Sequence, residues 1–149
     1  WHWRHEPCWF ARKKKAKVPW YGPRNLTTVW EASSPKMVTA GSKEEKQDHP
    51  AQKPVLLYEM PISCHLQPGQ SVFEPFCGSG TAIVAAERLG RVCLAIEIEP
   101  VFVDVAVKRW ERFTGNKAER IPAGAKGGAH GGRGGKRTRG AGRVPRRGE

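Results

Sequence analysis

Two carboxylates and a pair of glycines carry the chemistry of this sequence. The central stretch is Ser71-Val72-Phe73-Glu74-Pro75-Phe76-Cys77-Gly78-Ser79-Gly80-Thr81. Its apolar residues Val72, Phe73 and Phe76 predict a buried strand from about Val72 to Phe76. The glycines then turn the chain, and a helix is expected from Thr81 to Leu89. Glycine suits a backbone that bends sharply and lets a ligand come close, because no Cβ stands in the way. The first turn of the helix aims its free N–H groups at the same place. After the Gly90-Arg91 turn a second strand is expected from Val92 to Ile98, with Glu97 near its tip. An acid there, roughly 20 residues past the glycines, is how an α/β sheet takes the hydroxyls of a ribose. The chemistry indicated is the binding of a nucleoside-type cofactor.

The pattern argues against nicotinamide dinucleotides and ATP, the commonest cofactors of that kind. A dinucleotide fingerprint needs a third glycine, and Ile83 occupies that position. A phosphate-binding P-loop needs a lysine directly after its last glycine, and Thr81 stands there. An acid, Pro75-Phe76, and then Gly78-Ser79-Gly80 resembles the first motif of S-adenosylmethionine-dependent methyltransferases. In that motif the acid holds the methionine amino group and the glycines make room for the cofactor.

The elements around the motif must fit into 149 residues, enough for one domain with a modest core. No run of about 18 apolar residues is present, so no transmembrane helix is expected. No secretory leader pattern is present either. The first residue is Trp1, which leads to the expectation that the natural N-terminus lies upstream. Cys8, Cys64, Cys77 and Cys93 form no C-x-x-C pair, so no metal site is assigned. Dispersed free thiols fit a reducing, cytoplasmic setting.

The net charge is +12, and its placement is uneven. Residues 122–149 hold eight basic side chains against one acid, in a Gly- and Arg-rich tract such as Gly131-Gly132-Arg133-Gly134-Gly135-Lys136-Arg137. A segment with so little to bury cannot offset its ordering entropy, so a disordered basic tail is expected over 118–149. Such a tail binds phosphate backbones without sequence preference. Near the other end, Arg12-Lys13-Lys14-Lys15-Ala16-Lys17 lies among Trp9, Phe10, Trp20 and Tyr21. Glu6 to Ala11 reads as a strand entering a hairpin, the basic run as a loop or hairpin tip, Val18 to Pro23 as a turn, and Thr27 to Glu31 as a strand. Basic residues among aromatic ones suit phosphates and unpaired bases. The simpler reading is that most of these tryptophans are core and the lysines solvated. Ser33 to Asp48 reads as a surface loop. Pro50 and Pro54 fix an extended backbone ahead of a helix, whose pattern Pro61 interrupts.

His49-Pro50-Ala51-Gln52-Lys53-Pro54, placed upstream of Phe73-Glu74-Pro75-Phe76-Cys77-Gly78-Ser79-Gly80, is similar to the DNA amino-methyltransferases of permuted order. In that family the catalytic half precedes the cofactor half. The resemblance runs from about His5 to Gly115, and Thr27–Glu31 and Val105–Trp110 also look like family segments. It implies S-adenosylmethionine as cofactor and DNA as partner, with methyl transfer to the exocyclic amino group of adenine or cytosine. It also implies cofactor roles for Gln52, Lys53, Pro54, Glu74, Pro75, Phe76, Gly78, Ser79, Gly80, Thr81 and Glu97. Glu74 stands where the family usually has Asp, one methylene shorter.

One departure matters. The family's catalytic motif is Asp, Asn or Ser followed by Pro-Pro and an aromatic residue, which stacks on a flipped base. No Pro-Pro pair occurs in this chain. No catalytic residue is therefore assigned, and the motif is expected upstream of Trp1 or in a partner chain. The chain alone is then expected to be inactive. Pro7-Cys8 resembles the nucleophile of cytosine-carbon methyltransferases, but in those enzymes it follows the glycines. A non-enzymatic alternative is a nucleic-acid-binding remnant that has lost the cofactor.

The expected fold is α/β, a partial Rossmann-like methyltransferase three-layer sandwich. Its parts are an N-terminal hairpin and loop region (1–48), an S-adenosylmethionine-binding half (49–117) and the tail. Two parallel strands would be covered by helices from Thr81 and from about Pro100 to Phe113. Strands that would come from the missing half leave apolar sheet edges exposed.

Overall fold

A computed structural model describes residues 1, 5–32 and 52–122. The polar loop expected over Ser33–Asp48, the residues His49–Ala51 and the Gly/Arg-rich tract from Ala123 lie outside the described residues. The chain divides into two units, Trp1–Ala118 and Glu119–Glu149. Only residues 119–122 of the second are described, and they are irregular.

The order of elements is α1 (Leu56–His65), β1 (Ser71–Glu74), α2 (Thr81–Arg88), β2 (Val92–Ala95) and α3 (Pro100–Thr114). β1 and β2 pair in parallel, with Ser71 opposite Val92 and Glu74 opposite Ala95. A parallel pair needs a crossover, and α2 supplies it. α2 packs on β2 and touches both α1 and α3. Its buried residues are small (Thr81, Ala82, Val84, Ala85, Ala86), which lets its neighbours come close. The core is Val55, Ile62, Val84 and Ala85, flanked by Tyr58, Leu66, Val72 and Leu89. It therefore lies on one side of the sheet.

Among the described residues, nothing packs on the other side. Phe73, Val92 and Leu94 point away from α2 and are half exposed or more. The described residues thus form two layers, one sheet and one set of helices. The third layer of the expected sandwich is not among them.

Three expectations are corrected. The first concerns the length of the strands. β1 ends at Glu74 rather than Phe76, and β2 at Ala95 rather than Ile98. Two further bonds extend the pairing, Ile96 N–H to the Glu74 carbonyl at 2.9 Å and Cys77 N–H to the Ile96 carbonyl at 3.0 Å. Beyond them the N–H groups of Ile98 and Glu99 turn onto the side chain of Glu97, at 2.9 and 3.0 Å, and leave the ladder.

The second correction is that α1 runs through Pro61 without a break. The ring removes one N–H donor. The helix keeps its course because Ile62, beyond the proline, is buried in the core with Val55, and Cys64 is buried as well.

The third is that residues 5–32 contain no strand, so the expected N-terminal hairpin is not found among the described residues. Their polar groups are satisfied locally instead. Ala16 N–H bonds to the Lys13 carbonyl at 2.9 Å. Thr27 Oγ1 donates to the Val29 carbonyl at 2.8 Å, and Trp30 Nε1 donates to the Thr27 carbonyl at 3.1 Å. A strand needs a partner to take its hydrogen bonds, and among the described residues none lies alongside.

Among the described residues no helix is long and apolar enough to cross a membrane. No cluster of three or more His, Cys, Asp or Glu could hold a metal ion there.

Candidate functional site

The glycine turn lies between the tips of β1 and β2, and three separate parts of the chain hold it. Gly78 and Gly80 have φ of 52° and 77°, the left-handed region where glycine is favoured. Glu97, just past β2, accepts the Gly78 N–H on Oε2 at 2.6 Å. Its Oε1 takes the N–H groups of Ile98 and Glu99. One carboxylate therefore ties the turn to the second strand. Glu74, at the end of β1, accepts the Phe76 N–H at 2.9 Å and fixes the entry to the turn.

On the far side of the turn a buried arginine completes the hold. The Nη1 of Arg109, on α3, donates to the Ser79 carbonyl at 3.1 Å, to Ser79 Oγ at 3.3 Å and to Thr81 Oγ1 at 3.0 Å. Arg109 is only 6 % exposed. A buried guanidinium needs such partners, because its charge has left water. Thr81 Oγ1 in turn donates to the Lys53 carbonyl at 3.3 Å, joining Gln52–Pro54 to the start of α2. Gln52 and Pro54 are buried beside it. The Lys53 ammonium forms an ion pair with Glu6 of the N-terminal arm.

The family follows from comparison with known proteins. A family model described as DNA methylase, N6_N4_Mtase, matches residues 4–108. The chain belongs to this DNA methylase family. It is 36 % identical over 88 residues to the type II methyltransferase M2.DpnII of Streptococcus pneumoniae, covering 59 % of this chain and 31 % of that one. It is 38 % identical over 91 residues to the type II methyltransferase M.ScaI of Streptomyces caespitosus, covering 59 % and 29 %. The crystal structure of the M1.HpyAVI-SAM complex is 37 % identical with a TM-score of 0.55, covering 66 % of this chain and 46 % of that one. The chain thus spans about a third of the length of these curated relatives. Its fold is the Rossmann-like α/β arrangement of these enzymes.

Of the residues singled out in the sequence, the structure gathers most. Lys53, Ser79 and Thr81 are joined through the Lys53–Thr81–Arg109 chain of hydrogen bonds, Gln52 and Pro54 are the buried neighbours of Lys53, and Gly78 meets Glu97. Pro75 and Phe76 stand apart. Both are exposed, and the Phe76 ring is 85 % accessible.

Gly80 also has a steric reason within the fold. A Cβ on Gly80 would lie 2.9 Å from the Cβ and 3.1 Å from the Cα of Ala106 on α3. That close neighbour is a helix of the chain itself.

The environment of the turn is acidic. The Cys77 thiol is pushed up to about 11, by burial first and then by the carboxylates of Glu74 and Glu97. It stays protonated at neutral pH and packs as a small apolar group. Tyr58 is raised by burial and then by Glu74.

Arg109 and Ala106 were missed as site residues by reading the sequence. A signal existed. Phe102, Ala106 and Arg109 recur at helical spacing, so an arginine sits in the inward stripe of α3. An arginine inside an apolar stripe marks a buried partner.

Proposed function

We propose that this chain is the S-adenosylmethionine-binding portion of a DNA methyltransferase that modifies the exocyclic amino group of adenine or cytosine. The observation that carries the reading is the Gly78 N–H held on Glu97 at 2.6 Å, with Glu74 on the opposite strand tip. S-adenosylmethionine has a cationic sulfonium and ammonium at one end and a ribose diol in the middle. A turn flanked by two carboxylates suits both features. Glu74 takes the ammonium, with Gln52, Lys53 and Pro54 lying along the methionine part. Gly78, Ser79 and Gly80 line the cofactor, and Glu97 takes the ribose hydroxyls. The cofactor supplies an electrophilic methyl group, and the chain's own residues bind and orient it.

The base-holding Pro-Pro segment is not encoded in these 149 residues. Methyl transfer therefore needs a segment of that type from outside them. The bare face formed by Phe73, Val92 and Leu94 is the surface such a segment's strands and helices would cover. With this face open to water, the isolated chain binds cofactor without turning over.

Calorimetric titration with S-adenosylmethionine tests the reading. Wild-type chain should bind. Glu97→Ala should weaken binding by roughly 1–3 kcal/mol, the scale of hydrogen bonds to a charged group. A folded wild-type chain that takes up no cofactor would sink the proposal. An unchanged affinity in the variant would remove Glu97 from the site.

A further inference from the structure

The N-terminal arm holds five cations in six residues, Arg12, Lys13, Lys14, Lys15 and Lys17. All five are exposed. Among the described residues no ion pair or side-chain hydrogen bond involves them, while the one acid before them, Glu6, is engaged with Lys53. A group of unpaired like charges this dense repels itself. Loops normally relieve such repulsion by spreading.

Here the loop is fixed at both ends to one point. The chain leaves at Phe10, whose ring stacks on His65 with centroids 5.7 Å apart. It returns at Trp20, whose ring meets the same imidazole edge-on at 5.4 Å. His65 Nδ1 donates to the Pro19 carbonyl at 2.8 Å, and Tyr21 N–H bonds to the Cys64 carbonyl at 2.7 Å. Gly22 lies so near Cys64 that a Cβ there would be 2.5 Å from its sulfur. Between the anchors the chain makes a tight turn, with Ala16 N–H on the Lys13 carbonyl and Lys15 at φ 64°, an uncommon conformation for a residue with a side chain. The cations therefore project from a pinned tip at the C-terminal end of α1. The N-terminal end of the same helix follows Gln52–Pro54. The ten residues of α1 separate the two by one helix length, about 15 Å.

We propose that the Arg12–Lys17 loop clamps the phosphate backbone of duplex DNA, fixing the substrate about one helix length from the cofactor segment. The identity of the polyanion rests on the DNA-methyltransferase reading above. The clamp itself rests on the anchored, unpaired cations. Lysine contacts to phosphate carry no sequence information and set register and orientation. Each displaces counterions and adds about 0.9 to the slope of log affinity against log salt.

The test is fluorescence anisotropy of a labelled DNA duplex against the full chain over a range of salt, with S-adenosylmethionine calorimetry on the same samples. Lys13→Gln/Lys14→Gln/Lys15→Gln should weaken DNA binding and flatten the salt slope by about 2–3. Its cofactor affinity should match that of wild type. A comparator replaces Arg133, Lys136, Arg137 and Arg139 by Gln, because the basic tail also attracts phosphates. If the arm variant keeps the wild-type affinity and slope while the tail variant loses them, the clamp is overturned. A flattened slope in the arm variant supports the clamp whether or not the chain binds cofactor. The two readings therefore fail separately.

Discussion

The glycine turn and the N-terminal arm hold their shape in opposite ways. The turn is fixed by contacts that all converge on a few backbone atoms. Glu97 reaches back to Gly78, and Arg109 reaches over to Ser79 and Thr81. Its geometry is set by two buried or half-buried charges, each with several partners. The arm is fixed at the two ends of its loop, by two rings on the one imidazole of His65 and a few backbone bonds, and all between them but the half-buried Ala16 is exposed. The difference teaches where regular structure comes from. β1, α2 and β2 follow one another, so the crossover that joins the strands also covers them. The arm has β-forming residues and no neighbouring strand, and β preference without a partner leaves irregular chain.

The comparison breaks most sharply at Gly80. Gly80→Ala places a methyl against Ala106 and forces a side chain into the left-handed region. Urea unfolding should show a loss of roughly 2–4 kcal/mol, from overpacking and backbone strain together. Adding Ala106→Gly should recover the overpacking part and leave the strain. Full recovery would mean that the conformation of the turn costs nothing. A loss no larger than that of an exposed substitution in the arm would erase the contrast.

A slightly smaller effect is expected at Arg109. Arg109→Leu removes the donor from three oxygens at the turn and should cost about 2–3 kcal/mol. Cofactor affinity, measured well below the unfolding temperature, should fall as well, because the turn loses its support. Arg109→Lys should restore little, since an ammonium on a single stem does not reproduce the planar fork. If the lysine variant binds and unfolds like wild type, the geometry of the guanidinium is irrelevant.

The cysteines give the mildest test, since it needs no mutation. Cys8 is exposed in the arm, and Cys77 and Cys93 are pushed up to about 11, mainly by burial. Iodoacetamide near neutral pH should label Cys8 first and leave Cys77 and Cys93 protected until the chain unfolds. The same shift sets a pH dependence. Both thiols ionise near 9.0 when unfolded and near 11 when folded, so between those values the native state holds more protons. Stability should be unaffected by these groups below about pH 9 and should fall as pH rises toward 11. A flat profile across that window would place both thiols in water.

The sequence by itself determined the order strand, glycine turn, helix, strand, and with it the methylase family. Those features depend on residue types a few positions apart: a glycine where φ must be positive, an apolar run where a strand is buried, an acid at a strand end. The tertiary structure alone decided what each residue does there. Glu97 acts on a glycine 19 positions earlier, and Arg109 on a serine 30 positions earlier. Ala106, 26 positions later, is a close neighbour of Gly80. No local rule ties these pairs together. They meet because α2 is short and packed against α3, which brings the inward face of α3 onto the turn. The bare face of the sheet and the strandless arm follow from the same cause, since a strand or a layer forms only where another part of the molecule lies close enough to pair with it.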